Sequence, residues 1–114
     1  MVYKVVRAEE ETSDLDLIFD YLVETAEHFG EDLETAFLRA EKRVIEIQES
    51  LESLANVPHQ GTLRPHLGNN IRNVTKIKAI IYFEVDDDKL IVRVLAVFYS
   101  GQNHDAHILL RLLS

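Results

Sequence analysis

The chain has 114 residues, enough for one modest hydrophobic core, and its 46% hydrophobic and 28% charged content is typical of a folded globular domain. It contains no cysteine, which excludes a disulfide framework, a thiolate metal site and a cysteine nucleophile. Its net charge of −8 argues against strong sequence-independent binding to nucleic acid, because that affinity comes mainly from neutralising phosphates.

Charge is distributed unevenly along the chain. Residues 1–58 hold fifteen acidic and five basic side chains (net −10), whereas residues 59–114 hold five acidic and seven basic ones (net +2). This pattern fits either a solvated acidic half beside an ordinary sheet or a positive face for an anionic partner. The start resembles no signal peptide and no run is long enough to span a membrane, so we expect a cytoplasmic protein with residues 1–114 as one domain.

The first predicted elements are a strand and an amphipathic helix. "VYKVVRA" is short and rich in β-branched residues, which favours a strand. Ser13 and Asp16 suggest a helix start, where Asp14 and Asp16 would suit the positive end of the helix dipole. Gly30 is the expected end of this helix. Apolar residues recur between them at three- and four-residue steps: Leu15, Ile18, Phe19, Leu22, Val23, Ala26 and Phe29.

A second helix follows almost at once, so the two must fold back as a hairpin whose apolar stripes also cover a sheet. The proline- and glycine-containing segment "NVPHQGTLRPHLGNN" ends the helical part as a loop. The stripe of the second helix keeps the same rhythm as that of the first: Leu33, Ala36, Phe37, Ala40, Val44, Ile47, Leu51 and Leu54.

Three strands are predicted in the second half, followed by a short helix. "IRNVTKI", "KAIIYFEV" and "KLIVRVLAVFY" are rich in Ile, Val and aromatic residues, and "DDD" is a tight turn between the last two. The last strand is almost wholly apolar, which predicts a central position, and Arg93 within it should pair with Glu84. "DAHILLRLL" can form a terminal helix capped by Asn103 or Asp105. The predicted class is therefore α+β: a small antiparallel sheet packed against a helical hairpin.

Several local sequences, in this order and spacing, resemble the RelE/ParE family of bacterial toxins from type II toxin–antitoxin modules, also called plasmid stabilisation proteins. "DLDLIFDYL" resembles the family's first helix. "GEDLETAFLRAEKRVIEIQESLESLANVPHQG" resembles the second helix and its exit. "LRPHLGNNIRNVTKIKAIIYFEVDDDKLIVRVLAV" resembles the loop and three-strand meander. The resemblance covers nearly the whole chain.

The resemblance implies a toxin held inactive by a cognate antitoxin, with no cofactor. One branch of the family cleaves messenger RNA in the ribosome without a metal, and the other poisons DNA gyrase by binding. Nucleases of the family often have a tyrosine–arginine pair entering the penultimate strand, where this chain has Ala79 in the arginine place. They also tend to have basic residues after the last strand, where this chain reads "SGQNH". The resemblance therefore favours the ParE-like branch and a toxin that is not an enzyme.

A ribosome-dependent ribonuclease with an altered site is the alternative. Tyr99, His104 and His107 could supply acid–base groups for it, although a strand end for Tyr99, a helix cap for His104 and a solvated helix face for His107 explain them better. His59 and His66 lie on a different loop, so we expect no metal site, which would need three or four protein ligands. A family member that has lost toxicity, and a homodimer, are also left open.

Three basic residues are the candidates for contact with the target or the antitoxin: Arg64, Arg72 and Lys76. Arg72 stands at the start of a predicted strand, where the family often has an arginine. Its guanidinium could bind an anionic target or antitoxin carboxylates, or it could form an ordinary surface ion pair with the helical hairpin.

Overall fold

The structure, a computed structural model, describes residues 2–100 and 104–113; the side chains of residues 9–12, 104–107 and 110 are outside that description. The predicted order of strand, two helices, three strands and a terminal helix is confirmed, with one two-residue strand added in the long loop. The elements are β1 (Lys4–Arg7), α1 (Glu9–His28), α2 (Leu33–Ser53), β2 (Thr62–Leu63), β3 (Ile71–Lys76), β4 (Ala79–Asp86), β5 (Ile91–Tyr99) and α3 (His104–Leu113).

The five strands form one sheet in the order β1-β5-β4-β3-β2. The predicted α+β class and the central position of β5 are confirmed. The sheet is mixed rather than purely antiparallel, because β1 lies beside β5 and runs in the same direction. The backbone N–H of Lys4 donates to Leu90 O (2.9 Å), and that of Ala8 donates to Val94 O (3.2 Å). With strands on both sides and side chains packed on both faces, β5 needs its apolar sequence.

The α1–α2 hairpin covers one face of the sheet and builds the main core there. Alternate residues of β4 point toward the hairpin, because side chains alternate between the faces of a strand. The helices meet through small residues, with Ala36 and Ala40 of α2 against Val23 of α1. The buried residues of this core are Leu15, Ile18, Ile47, Leu51, Leu54, Ala79, Ile81, Phe83, Val85, Val92, Val94, Val97 and Tyr99.

Helix α1 begins at Glu9, four residues before the predicted start at Ser13. The N-cap is Ala8, which has extended backbone angles and no capping side chain. Glutamates are good helix formers and suit the positive end of the helix dipole, so the "EEE" run can begin the helix without a polar cap. Asp14 therefore lies inside the helix, more than one turn from its start. The predicted helix end is confirmed, since α1 stops at His28 and Gly30 has a φ of +91°.

Helix α3 confirms the predicted terminal helix. Asp105 lies inside it rather than capping it, and Asn103 is outside the described residues. Within the part of the chain that the structure describes, every helix is too short or too polar to cross a membrane.

Candidate functional site

The sheet face that points away from the α1–α2 hairpin, called the outer face below, has its own smaller apolar cluster. Ile80 and Tyr82 of β4 lie there beside Ala96 and Phe98 of β5. The rings of Tyr82 and Phe98 meet edge to face, with centroids 6.0 Å apart. Ile108 of α3 is buried against this cluster, so α3 covers part of the outer face. The amphipathic sequence of α3 explains why it docks here.

Two arginines at the margins of the outer face are already hydrogen-bonded. The Nε of Arg64 donates to Asn73 Oδ1 (3.2 Å). Asn73 is on β3, opposite Tyr82 of β4. Arg93 on β5 lies opposite Glu84 on β4, and its guanidinium donates to Glu84 Oε1 (3.3 Å). The predicted pairing of Arg93 with Glu84 is thus confirmed.

A third arginine contacts the one acidic side chain that is buried among the described residues. Both terminal nitrogens of Arg111 on α3 donate to the carboxylate of Asp14 on α1, at 2.6 and 2.7 Å. The Asp14 side chain is 2% exposed and that of Arg111 is 26% exposed. The guanidinium also lies 5.8 Å from the centre of the Phe98 ring, a favourable cation–π distance. This planar two-bond geometry is the strong form of a charge pair.

The same pair completes the hydrogen bonding of β5 beyond the end of β1. Strand β1 pairs with β5 only as far as Arg7 and Val94. Further along, the N–H of Val97 donates to Asp14 Oδ2 (2.9 Å), and Arg111 donates to Leu95 O (3.2 Å). Two side chains thus take the place of a missing strand, because buried backbone groups need partners.

Sequence reasoning did not find this pair. Asp14 was assigned to the positive end of the α1 dipole, and Arg111 was given no role. One signal was available, since Asp14 lies four residues before Ile18 and so shares the buried stripe of α1. The partner could not have been identified, because 97 positions separate the two residues.

Of the three candidate acid–base residues, Tyr99 is the one whose side chain the structure describes. Tyr99 faces the hairpin, on the opposite side of the sheet from α3, and is 8% exposed. Its hydroxyl accepts from Arg43 (3.3 Å), and its ring lies 6.0 Å from that of Tyr21. The backbones of His104 and His107 lie in α3, while their side chains are outside the described residues.

The three candidate binding cations lie on two different faces. Arg64 lies at the outer face, whereas Arg72 and Lys76 are alternate residues of β3 on the hairpin side. Arg72 donates to the backbone oxygen of His59 (3.0 Å), and Lys76 donates to Ser53 Oγ (3.4 Å). A flat partner surface could therefore contact Arg72 and Lys76 together, but not all three.

A polar cluster ties the start of the chain to the β4–β5 turn. Asp87 Oδ1 accepts from the hydroxyl of Tyr3 and contacts Nε2 of His59, both at 2.7 Å. The hydrogen bond from Tyr3, followed by that from His59, lowers the pKa of Asp87. The same bond raises the pKa of Tyr3. Among the described residues, no group of three or more acidic or histidine side chains is arranged to hold a metal.

A groove of about 230 Å³ opens between the hairpin and the end of β5. The groove exists because three of the side chains that line it are small: Ala26 on α1, and Ala36 and Ala40 on α2. Arg39, Arg43 and Glu31 line its wall, and Arg39 contacts Glu31 (2.6 Å), so the groove has room for an apolar side chain beside charges of both signs. Beyond it, at the hairpin tip, Phe29 and Leu33 are exposed rather than buried in the predicted stripe.

Comparison with known proteins places these features in a family. A family model described as the ParE toxin of the type II toxin–antitoxin system parDE matches residues 6–104. Nothing among curated proteins matches the sequence significantly.

Solved structures share the fold. A chain of the chromosomal ParDE toxin–antitoxin system from P. aeruginosa is 22% identical, with a TM-score of 0.65 over 88% of this chain and 98% of that one. A mutant of the E. coli toxin RelE in the free state is 11% identical, with a TM-score of 0.61 over 99% and 96%. The RelBE2 toxin–antitoxin complex from M. tuberculosis gives 12% identity and a TM-score of 0.53 over 87% and 99%.

Proposed function

The chain belongs to the ParE toxin family of type II toxin–antitoxin systems, and from that premise we propose that it stops bacterial growth by binding DNA gyrase rather than by cutting RNA. It is the toxin component of such a module, and its partner is an antitoxin. Gyrase is a protein of the bacterial cytoplasm, so the toxin would act there.

The main support for this proposal is that the arginines at the outer face already contact other groups of the chain. A ribonuclease of this kind needs cations that can hold a phosphate and stabilise the charge that develops when a 2′-hydroxyl attacks it. Arg93 and Arg111 each contact a carboxylate, and Arg64 contacts an amide oxygen. At least one donor of each arginine is thus already directed at a group of the chain itself, which makes these side chains less available to hold a phosphate. Releasing Arg111 would leave the buried Asp14 carboxylate without its counter-charge, which is costly.

The position where family nucleases often have an arginine supports the same choice. Ala79 stands there, is fully buried, and belongs to the core under the hairpin. A long cationic side chain would not fit at this position without opening the core.

Arg64, Arg72 and Lys76 stay our candidates for contact with the partners. The two partners in question are the antitoxin and the target. Because Arg72 and Lys76 share one face of the sheet, we propose that they contact the same partner and that Arg64 contacts the other one. Charge reversal at Lys76 should therefore impair either antitoxin binding or target binding, while leaving the other intact.

The experiment expresses the chain alone from a tightly controlled promoter in a bacterium. Filamentous cells with a DNA-damage response are expected, together with inhibition of supercoiling when the purified chain is added to gyrase and plasmid. Co-expression of the antitoxin should prevent both effects. A matched control is Asp20→Asn, a change at an exposed position of α1 that should keep full toxicity.

An immediate stop in translation with cleaved messages, and gyrase unaffected in vitro, would establish the ribonuclease alternative. Normal growth with a folded chain would show instead that toxicity has been lost while the fold survives.

A further inference from the structure

The exposed side of α2 carries a short series of apolar, acidic, basic and apolar residues. If a second α2 helix lay antiparallel to it, each apolar residue would face an apolar one and each acid would face a base. Leu38 and Ile45 lie seven residues apart and are 63% and 46% exposed. Glu41 and Lys42 lie between them and are also exposed. Seven residues make about two helical turns, so all four side chains project from the same side of the helix.

The two central charges differ from four other charged residues of α2, which form ion pairs. Arg39 contacts Glu31 (2.6 Å), Arg43 contacts Glu46 (3.5 Å), and Glu52 contacts Arg7. Neither Glu41 nor Lys42 forms an ion pair with any side chain of the described residues. Both charges are therefore available to a partner.

We infer that this face of α2 binds a second copy of the same chain, with the two α2 helices antiparallel about a twofold axis between Glu41 and Lys42. In that arrangement Leu38 contacts Ile45 of the second copy, and Glu41 lies opposite Lys42 of the second copy. Each contact occurs twice, as a twofold interface requires. An unrelated partner would not need this symmetry of apolar, acidic, basic and apolar positions.

The neighbouring acidic residues restrict the geometry. Glu34 and Glu49 lie about one turn beyond the apolar pair, and closely aligned helices would bring Glu34 near Glu49 of the second copy. If the two helices cross at about −50°, the commonest angle for packed helices, Glu34 of one copy is kept away from Glu49 of the other. Contact is then confined to the central two turns of each helix. Such a contact buries less than the roughly 1,200 Å² of stable interfaces, so the dimer is weak, with a dissociation constant on the order of 100 µM.

Sedimentation equilibrium of the purified chain tests the inference at concentrations from about 10 µM to about 1 mM. The unmodified chain should dimerise reversibly across this range. Glu41→Lys and Lys42→Glu should each weaken dimerisation by about tenfold, because two attractive pairs become two repulsive ones. The double exchange should restore it to within about threefold of the original, which non-specific association would not do.

Two further variants complete the design. Leu38→Glu should abolish dimerisation while circular dichroism shows an unchanged helix content. Glu24→Lys makes the same charge change as Glu41→Lys on the exposed side of α1 and should leave the dimer unaffected.

The inference is overturned if the chain is monomeric up to about 1 mM, or if the double exchange fails to restore what the single changes removed. A monomer whose antitoxin affinity falls on Leu38→Glu would show that this face serves the antitoxin instead. The proposed action on gyrase is measured separately and does not depend on either result.

Discussion

Asp14 and Arg111 join the first helix to the last one through a bidentate charge pair, and the same two side chains satisfy the backbone of β5 where β1 has ended. The pair therefore acts at three places at once: it fixes α3 on the outer face, closes the edge of β5 and holds the N-terminal part of α1 against the sheet. Its removal should affect stability before it affects any binding surface.

Arg111→Met should lower the free energy of unfolding by about 3 kcal/mol, because it leaves the buried Asp14 carboxylate without a counter-charge. Asp14→Asn should cost somewhat less, since an amide oxygen can still accept from Val97. The double variant should lose less than the sum of the two single changes, because it leaves no unpaired charge. Urea unfolding measures all three, with Asp20→Asn as the exposed control. Strictly additive losses would contradict a direct coupling of the two residues.

The Tyr3–Asp87 hydrogen bond should make stability depend on pH at both extremes. The pKa of Asp87 lies below its ordinary 3.8, so this contribution is present above 3.8 and is lost as the pH falls through the lowered value. The pKa of Tyr3 lies above its ordinary 10.0, so its contribution is present below 10.0 and is lost as the pH rises through the raised value. NMR titration should show that Tyr3→Phe raises the pKa of Asp87, whereas Tyr21→Phe leaves it unchanged.

Two left-handed glycines should respond very differently to alanine. Gly30 has a φ of +91° and open space around it, so Gly30→Ala should cost only the backbone strain of about 1–2 kcal/mol. Gly61 has a φ of +81°, and an added Cβ would collide with the backbone oxygen of Asn73. Gly61→Ala should therefore cost more than about 3 kcal/mol and disturb the pairing of β2 with β3. Equal midpoints of thermal unfolding for the two variants would refute this assignment.

Tyr99 and His104 should be dispensable for toxicity. Tyr99→Phe removes a hydroxyl that accepts from Arg43, so it should cost about 0.5–1.5 kcal/mol of stability while growth arrest persists. His104→Ala should likewise keep the arrest. The readout is colony formation after induction, normalised to the amount of folded chain. A loss of toxicity in both variants, with stability retained, would favour the catalytic alternative.

The complex with the antitoxin should tolerate salt. Because the toxin itself is acidic, and Phe29, Leu33 and Phe37 at the hairpin tip are exposed, we expect apolar burial to contribute more to this contact than charge. Its dissociation constant should change by less than about fivefold between about 0.1 M and about 0.5 M NaCl. Dissociation at modest ionic strength, measured by titration calorimetry, would show that charge dominates.

Periodicity predicted most of the architecture because the main core depends on regular spacing. The buried parts of both helical stripes, the central place of β5 and the Arg93–Glu84 pair follow from repeats of 3.6 or 2 residues. Near the hairpin tip the periodicity was misleading, because Phe29, Leu33 and Phe37 are exposed there. The parallel pairing of β1 could not be predicted in this way, since its partner lies about ninety positions away and its own sequence suits either direction.

Polar residues were harder to assign because their partners, too, are far away in the sequence. Asp14 was assigned to the positive end of the helix dipole because acids commonly occupy the first turn, and only its distant partner reveals its true environment. Tyr99 and the two α3 histidines are near one another in sequence, yet a strand end directs Tyr99 under the hairpin while α3 turns to the other face.

The parallel position of β1 beside β5 has a consequence for how the sheet is assembled. The helical hairpin and three strands lie between these two neighbours in the sequence, so their pairing must close a long loop. Pairing between such distant segments is slow, whereas β3, β4 and β5 are joined by short turns and can pair early. We therefore expect β1 to join the sheet late in folding, which leaves the backbone groups along that edge of β5 without their strand partner until then.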